Sequence, residues 1–220
     1  MPPCRSGEVF VARILITSGP TRQYLDPVRY LTNASSGRMG KALAEAALAL
    51  GHEVVVVSGP VEVTYPASAH VVPVISTEDM LVAASREFEI CDGLIGAAAP
   101  CDYRPVRVED HKIAKTGLPV DLHLIETEDV VATLGDRKGR RWVVGFALET
   151  EDHRLRALAK LERKHCDLVV SNGAEAISAL DNSVEIIAPD GSVLAALSGS
   201  KEHVAHEILA HIQVRLIERP

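Results

Sequence analysis

Apolar and polar positions along the chain form blocks that predict strands and helices in turn. An apolar, β-branched run at residues 11–17 ends in Ser18-Gly19-Pro20, the pattern of a buried strand that closes in a sharp turn. The helix that follows has its start signal at Ser35-Ser36, its body at residues 41–50 and its stop at Gly51. A long polar segment separates strand and helix, and such loops in α/β units are usually functional.

The same alternation continues to the end of the chain. Thr77 and Thr127 are placed to cap helices, and further helices are predicted at residues 151–165 and 201–217. Apolar runs at residues 184–188 and 192–197 flank Pro189-Asp190-Gly191 and predict a β-hairpin. Other strands are predicted at residues 54–57, 70–75, 93–97, 122–125, 142–147 and 167–171. This order indicates the α/β class, with a Rossmann-like, doubly wound, mainly parallel sheet and an antiparallel C-terminal hairpin.

Length and composition favour one ordinary domain spanning residues 1–220. Residues 1–8 resemble a loose leader, whereas the charged, proline-bounded stretch at 103–120 has no periodicity and predicts a mobile lid that carries Lys112. Hydrophobic residues make up 47% of the chain and aromatic residues 4%, so the predicted core is mostly aliphatic.

Charge and cysteine content limit the partners. The net charge of -7 argues against non-specific nucleic-acid binding and against a polybasic membrane surface, so an anionic ligand needs locally placed cations. No segment is apolar and long enough to span a membrane, and no signal-peptide pattern is present. The 4 cysteines lack metal-type spacing and are typical of reduced thiols, which predicts a cytoplasmic protein.

A glycine motif follows the first strand. Ser35, Gly37 and Gly40 match the dinucleotide-binding fingerprint except that its first glycine is a serine. Such glycines let backbone approach an anion and let the helix pack on the sheet, and a helix N-terminus favours negative charge. The second strand, however, ends without the acidic residue that NAD binding requires. An NADP-dependent reductase therefore stays an alternative, although no lysine stands four residues after Tyr103 as its hydride site requires.

A second strand end also favours a ligand. The predicted strand at residues 93–97 leads into Ala98-Ala99-Pro100-Cys101-Asp102, where small residues leave room outside the sheet. Asp102 is either a ligand contact or a turn residue. Cys101 has no histidine close in sequence, which argues against a nucleophile.

Several other residues allow both a structural and a functional interpretation. Lys112 is a solvated lysine or a cation that closes over a triphosphate. Lys160 and Lys164, four residues apart, form an exposed basic helix face or a phosphate-binding pair. Asn33 either caps a turn or contacts a ligand. Phe146 is more typical of a core residue than of a side chain that stacks on a nucleotide base.

Five blocks of the sequence resemble phosphopantothenoylcysteine synthetase, a ligase of coenzyme A biosynthesis that many bacteria fuse behind a flavin-dependent decarboxylase. They are ILITSGPTRQYLDPVRYLTNASSGRMGKALAEAAL, VSGPV, AAAPCDYRP, HKIAK and VVGFALET, and the resemblance covers nearly the whole chain from Arg13. It implies that the carboxylate of 4′-phosphopantothenate attacks the α-phosphate of CTP, giving an acyl-cytidylate and pyrophosphate. The amine of L-cysteine then displaces CMP.

The resemblance also implies cofactors and partners. CTP is the co-substrate, with Mg²⁺ or a similar divalent cation on its phosphates. A homodimer is expected, and a separate decarboxylase is the expected partner because the decarboxylase half does not occur in this sequence. The non-enzyme alternative is a subunit that partners such a decarboxylase and has lost its chemistry; Asn33, Lys112 and Asp102 argue against it.

The site residues are implied by the same resemblance. Asn33 is expected to handle the acyl-nucleotide and Lys112 to activate the carboxylate, with Arg29 in support. The implied substrate-binding residues are Arg29, Asn33, Ser35, Ser36 and Gly37. The implied nucleotide-binding residues are Gly96, Ala98, Asp102, Lys112, Glu128, Asp129, Val130, Val131, Phe146, Lys160 and Lys164. The metal ligands are unknown.

The chain departs from the family pattern at three places. Pro100-Cys101 stand where Val-Ala or Val-Ser is commoner, Ala114 replaces the middle lysine of the lid motif, and Glu128 replaces a proline. The change in the lid bears on phosphate contacts, whereas the other two lie where backbone matters more than side chain.

Overall fold

An eight-stranded sheet forms the centre of the structure, a computed structural model that describes residues 10–148, 161–172 and 182–218. The described strands are β1 (Arg13–Ser18), β2 (Arg22–Tyr24), β3 (Tyr30–Thr32), β4 (Glu53–Ser58), β5 (His70–Pro73), β6 (Gly93–Gly96), β7 (Tyr103–Pro105), β8 (Leu124–Glu126), β9 (Trp142–Leu148), β10 (Leu168–Asn172), β11 (Asn182–Ile187) and β12 (Val193–Gly199). The described helices are α1 (Arg38–Ala49), α2 (Thr77–Phe88), α3 (Val130–Asp136) and α4 (Lys201–Ile212), the last continued by a π-helical turn at Gln213–Ile217. Residues 161–163 are also helical.

The sheet order is β12-β11-β10-β9-β6-β1-β4-β5. The six strands from β10 to β5 are parallel, whereas β11 and β12 pair antiparallel at one margin. Numbered among themselves, the parallel strands have the order of a doubly wound dinucleotide-binding sheet, and the order reverses between β1 and β6. The predicted fold class is confirmed, including its C-terminal hairpin.

Side chains alternate between the two faces of the sheet. Ile14 and Ile16 of β1 pack with α1 and α4 on one face, and Leu15 packs with α2 and α3 on the other. Both faces are built mainly from Val, Ile, Leu and Ala, as the composition predicts. Gly40 of α1 lies so close to Ser18 that no side chain fits between helix and strand. This glycine of the motif therefore has the packing role predicted for it.

Three helix starts differ from the predictions. The prediction that Ser35-Ser36 cap α1 is wrong, because Gly37 is the N-cap and turns the chain with φ 72 and no side-chain bond. The α2 helix is capped by Ser76, whose hydroxyl accepts from the Asp79 N–H in a reciprocal capping box. The α3 helix is capped by Asp129, whose side chain accepts from the Ala132 N–H. Thr77 and Thr127, the predicted caps, bond elsewhere.

Two small ribbons lie outside the main sheet. β2 and β3 form a hairpin within the polar segment after β1, and this hairpin was not predicted. The strand predicted at residues 122–125 lies at β8 and pairs with β7, not with the central sheet. The segment predicted as a lid, residues 103–120, thus begins with strand β7, and the rest of it lies in the loop that joins β7 to β8. Strands of three residues are too short to give a periodic pattern.

The described cysteines, Cys91, Cys101 and Cys166, are free and buried. Burial raises the pKa of Cys91 and of Cys166 to about 11, so both thiols are protonated at neutral pH. Within the described ranges, no helix is long and apolar enough to cross a membrane, and no group of three or more His, Cys, Asp or Glu side chains is arranged to hold a metal ion.

Candidate functional site

A cleft of about 470 Å³ opens at the carboxyl ends of the central strands. After β1 the chain continues to α1 on one face of the sheet, and after β6 it continues to α3 on the other face. These connections leave β1 and β6 in opposite directions, which opens a crevice between them. Nine of the predicted nucleotide-binding residues line the cleft together: Gly96, Ala98, Asp102, Glu128, Asp129, Val130, Val131, Phe146 and Lys164. Lys160 lies outside the described residues.

Close packing against β6 seats α3 beside the cleft. A Cβ on Gly96 would lie 2.5 Å from Val131 Cγ2, so the space that a side chain would take belongs to Val131. At the other end of α3, Gly135 approaches the Lys164 carbonyl too closely for any side chain. Glycine at these two positions therefore fixes how far α3 stands from the sheet and from Lys164.

An ion pair joins two of the predicted residues. Lys164 Nζ lies 2.8 Å from Asp129 Oδ2, and the lysine side chain is only 14% exposed. Burial alone raises the pKa of Asp129, but the Lys164 ammonium and the Ala132 N–H outweigh it and hold the pKa below its ordinary value. The interpretation of Lys164 as part of an exposed basic helix face is wrong, because this residue follows the helical turn at 161–163 and faces the cleft.

The loop between β6 and β7 is fixed around Cys101. The Thr21 hydroxyl accepts from the Cys101 N–H at 2.8 Å, while the Thr127 and Thr77 hydroxyls donate to its carbonyl at 2.6 and 3.1 Å. Cys101 is 5% exposed, and burial raises the pKa of its thiol, which argues against a nucleophilic role. Asp102, the next residue, is exposed at the cleft, which favours a ligand contact for it.

Asn33 reaches the same loop from the end of β3. Its Nδ2 donates to the carbonyl oxygens of Ala99 and Pro100, at 3.2 and 2.9 Å. Pro100 itself lines the cleft. The structure therefore places Asn33 next to Pro100 at the rim of the cleft, where its side chain supports the loop.

The glycine motif has a neighbour that the sequence did not indicate. Cβ atoms on Gly19 and Gly37 would lie 2.6 and 2.7 Å from Val61 Cγ1, so Val61 fills the gap between the β1 turn and the start of α1. A dinucleotide bound at a Rossmann fingerprint places its pyrophosphate in that gap. This packing argues against the reductase alternative, while Ser36 and Arg38 on either side of Gly37 are exposed.

Six of the predicted site residues do not line the cleft: Arg29, Asn33, Ser35, Ser36, Gly37 and Lys112. Arg29 is bonded to the Asp26 carboxylate and to the Ile113 carbonyl. Lys112 is exposed and lines a second cavity of about 620 Å³, bounded by Leu25 and by the loop between β7 and β8. The β7–β8 ribbon stands between the two cavities, because Tyr103 lines the first and Pro105 the second.

The residues that support the site were not predicted from the sequence. Thr77 and Thr127 were predicted to cap helices, but their hydroxyls donate to the Cys101 carbonyl. Asp26 lies in the long polar segment after β1, and its carboxylate accepts from the Val28 N–H two residues later, as in a side-chain-stabilised turn. Val61 gave no signal, since an apolar residue after a strand is ordinary.

Together, the sheet order and the cleft define a doubly wound α/β protein whose ligand site lies where the strand order reverses. A family model described as the DNA/pantothenate metabolism flavoprotein C-terminal domain matches residues 10–216. The chain belongs to this family, and the predicted resemblance is confirmed at that level.

Relatives and solved structures agree with this assignment. The chain is 41% identical over 204 residues to the coenzyme A biosynthesis bifunctional protein CoaBC of Bacillus subtilis (strain 168), covering 90% of this chain and 50% of that protein. It is 38% identical to the crystallised C-terminal domain of a CoaBC, with a TM-score of 0.83 over 97% of this chain and all 100% of that one. A Cab2 variant in complex with phosphopantothenate-cysteine shares the fold at 17% identity, with a TM-score of 0.79 over 93% of this chain and 86% of the other. The chain spans about half the length of the curated relatives it matches.

Proposed function

We propose that this chain is a ligase domain of coenzyme A biosynthesis that joins 4′-phosphopantothenate to L-cysteine through an acyl-cytidylate. The observation that carries the proposal is the cleft at the sheet's switch point, where nine residues expected to bind CTP come together. Family membership supports the same activity. CTP is the preferred nucleotide in this proposal, because a pocket edge that pairs with cytosine rejects a purine that leaves its polar groups unpaired.

The first half-reaction forms the acyl-cytidylate. A carboxylate oxygen of 4′-phosphopantothenate attacks the α-phosphorus of CTP, and the bond to the β-phosphate oxygen breaks to release pyrophosphate. In this proposal the exposed side chain of Lys112 extends from the neighbouring cavity across the β7–β8 ribbon and supplies a cation to the charge that develops on the transferring phosphoryl group. In this proposal the phosphate of 4′-phosphopantothenate lies beside Ser36 and Arg38, which are exposed on either side of Gly37 at the start of α1.

The second half-reaction forms the amide. The amine of L-cysteine attacks the acyl carbon, the carbon–oxygen bond to the cytidylate breaks, and CMP leaves with the bridging oxygen. Asn33 at the rim of the cleft holds the acyl-nucleotide in place, since an amide side chain both donates and accepts. Arg29 has a supporting role, because its guanidinium donates to the Ile113 carbonyl next to Lys112.

In this proposal a divalent cation enters the cleft bound to the triphosphate of CTP. Mg²⁺ prefers carboxylate, phosphate and water oxygens, and the exposed Asp102 and Glu128 present carboxylates to the ligand space. Asp129 is engaged by Lys164 and is a weaker candidate. When bound, the ion would neutralise charge on the phosphates.

Assembly and location belong to the same proposal. Apolar side chains stand exposed on the β7–β8 ribbon and its loop, which favours burial against a second copy of the chain: Tyr103, Val106, Leu122, Leu124 and Ile125. The curated relatives that the chain matches are named bifunctional proteins of coenzyme A biosynthesis, and a decarboxylase is the proposed partner. A cytoplasmic location follows from the pathway.

The experiment is a pyrophosphate-release assay on the purified chain with CTP and Mg²⁺. Release is expected only when 4′-phosphopantothenate is present, and the cysteine amide should form once L-cysteine is added. With ATP in place of CTP, turnover should fall by about tenfold or more. Release that ignores phosphopantothenate, or none under any of these conditions, would contradict the proposal.

A further inference from the structure

The turn at the tip of the β2–β3 hairpin binds the lid, which is the loop between β7 and β8, at two points. The Glu109 N–H donates to the Leu25 carbonyl at 2.9 Å. Four residues further along the lid, the Ile113 N–H donates to Asp26 Oδ2 at 3.1 Å and the Ile113 carbonyl accepts from Arg29 Nη1 at 2.9 Å. Both polar groups of one lid residue are thus bound by two side chains that lie more than eighty positions earlier in the chain.

Asp26 is the centre of this contact. Its side chain is fully buried, at 0% exposure, and it accepts from four donors: the N–H groups of Val28, Arg29 and Ile113, and Arg29 Nη1 at 2.9 Å. Burial alone raises the pKa of Asp26, but the main-chain donors and the Arg29 guanidinium outweigh it and lower the pKa below its ordinary value. The carboxylate is therefore ionised at neutral pH, and it keeps the guanidinium aimed at the lid.

Lys112 immediately precedes Ile113, between the two attachment points. Its side chain is exposed, so its own contacts do not fix it. The position of its Cα is set by the main chain at Ile113, and that main chain is set by Asp26 and Arg29. The same hairpin carries Asn33 just beyond the end of β3, so one small element places both proposed catalytic side chains.

We propose that Asp26 is a positioning residue that sets the place of Lys112 by binding the Ile113 main chain directly and through Arg29. The inference rests on the proposed function, because it assigns Asp26 to the half-reaction in which Lys112 acts. Asp26→Asn keeps the shape, but its amide has only one accepting oxygen. It therefore cannot accept from the Val28 and Arg29 N–H groups at one end and from the Ile113 N–H and the Arg29 guanidinium at the other.

The first measurement is hydrogen exchange, which does not depend on activity. Peptides spanning residues 106–118 should exchange faster in Asp26→Asn than in the wild type. Asp167→Asn is the matched control, because Asp167 also accepts from a main-chain N–H, that of Val143, and from a cation, Lys138, both at 2.8 Å. Asp167 immediately precedes β10. Unchanged exchange in Asp26→Asn would overturn the inference.

The second measurement is single-turnover formation of acyl-cytidylate, followed by mass spectrometry. Asp26→Asn should slow it by about tenfold to a hundredfold, as misplaced catalytic groups do, with CTP affinity within about twofold of wild type. In a Lys112→Ala background the same change should cost less than about twofold, because the residue it positions is gone. An equal loss in both backgrounds would show a general structural role and contradict the inference.

A second variant guards against a folding defect in Asp26→Asn. Ile113→Pro removes the N–H donor from the lid and leaves the buried carboxylate with Arg29. It should reproduce the slow first half-reaction, and wild-type rates in this variant would overturn the inference. A wild-type chain that forms no acyl-cytidylate would contradict the proposed function, whereas the exchange result would still decide whether Asp26 holds the lid.

Discussion

At the scale of single residues, side chains in and beside the cleft also hold the local structure in place. Asn33 directs its amide nitrogen to two carbonyls of the β6–β7 loop, and Lys164 completes the cap of α3 by pairing with Asp129. A substitution at either position therefore changes local structure as well as ligand contact. Kinetic tests need to separate the two effects.

The two proposed catalytic residues should differ by half-reaction. Lys112→Ala is expected to form little acyl-cytidylate, because charge on the transferring phosphoryl group then lacks its cation. Asn33→Ala should form the intermediate and consume it about a hundredfold more slowly. Each variant is mixed with CTP, Mg²⁺ and 4′-phosphopantothenate, L-cysteine is added later, and the intermediate is followed by mass spectrometry. Accumulation in Lys112→Ala, or none in Asn33→Ala, would reverse the assignment.

Asp129 gives a prediction about pH. Its pKa is lower in the folded chain than the unperturbed value of 3.8, so the ionised form stabilises the fold above that value. The contribution should be lost as pH falls through the lower, folded-state pKa. The difference in unfolding free energy between wild type and Asp129→Asn should therefore be largest near neutral pH and shrink below pH 3.8. Urea unfolding at several pH values measures it, and a pH-independent difference would refute the ion pair's role.

At the scale of elements, close approach between α3 and β6 shapes the cleft. Gly96→Ala puts a methyl group where Val131 lies, so α3 must shift, and overpacking of this kind costs about 1–3 kcal/mol. Adding Val131→Ala should recover most of that loss, because it vacates the space. Thermal or denaturant unfolding of the single and double variants tests this; a double variant as unstable as Gly96→Ala contradicts it.

Some of these elements were predictable and others were not. Buried strands such as β1 and β4 have continuous apolar runs, so their positions follow from the sequence within one or two residues. Helix starts failed where tertiary bonds decided them: Thr77 and Thr127 have capping chemistry, but their hydroxyls bond to Cys101 inside the fold. At α1 the turn depends on the left-handed conformation of Gly37, which the neighbouring serines obscured.

At the scale of the whole molecule, the strand order brings the site together. Gly96, Asp102, Asp129 and Phe146 are distant in sequence, and they share a cleft because β6 and β9 are neighbours. Their common role was implied by the resemblance, whereas composition and spacing gave only a candidate crevice after β6. The supporting contacts of Asp26 and Val61 were not predictable, because they depend on where separate segments meet.

The central claim is that a phosphopantothenate oxygen passes into the nucleotide. The measurement is a complete turnover with 4′-phosphopantothenate labelled with oxygen-18 in its carboxylate, followed by mass spectrometry of the released nucleotide. If an acyl-cytidylate forms and cysteine then attacks its acyl carbon, each CMP gains one labelled oxygen and the amide keeps the other. Unlabelled CMP, or amide formed without nucleotide cleavage, would contradict the account.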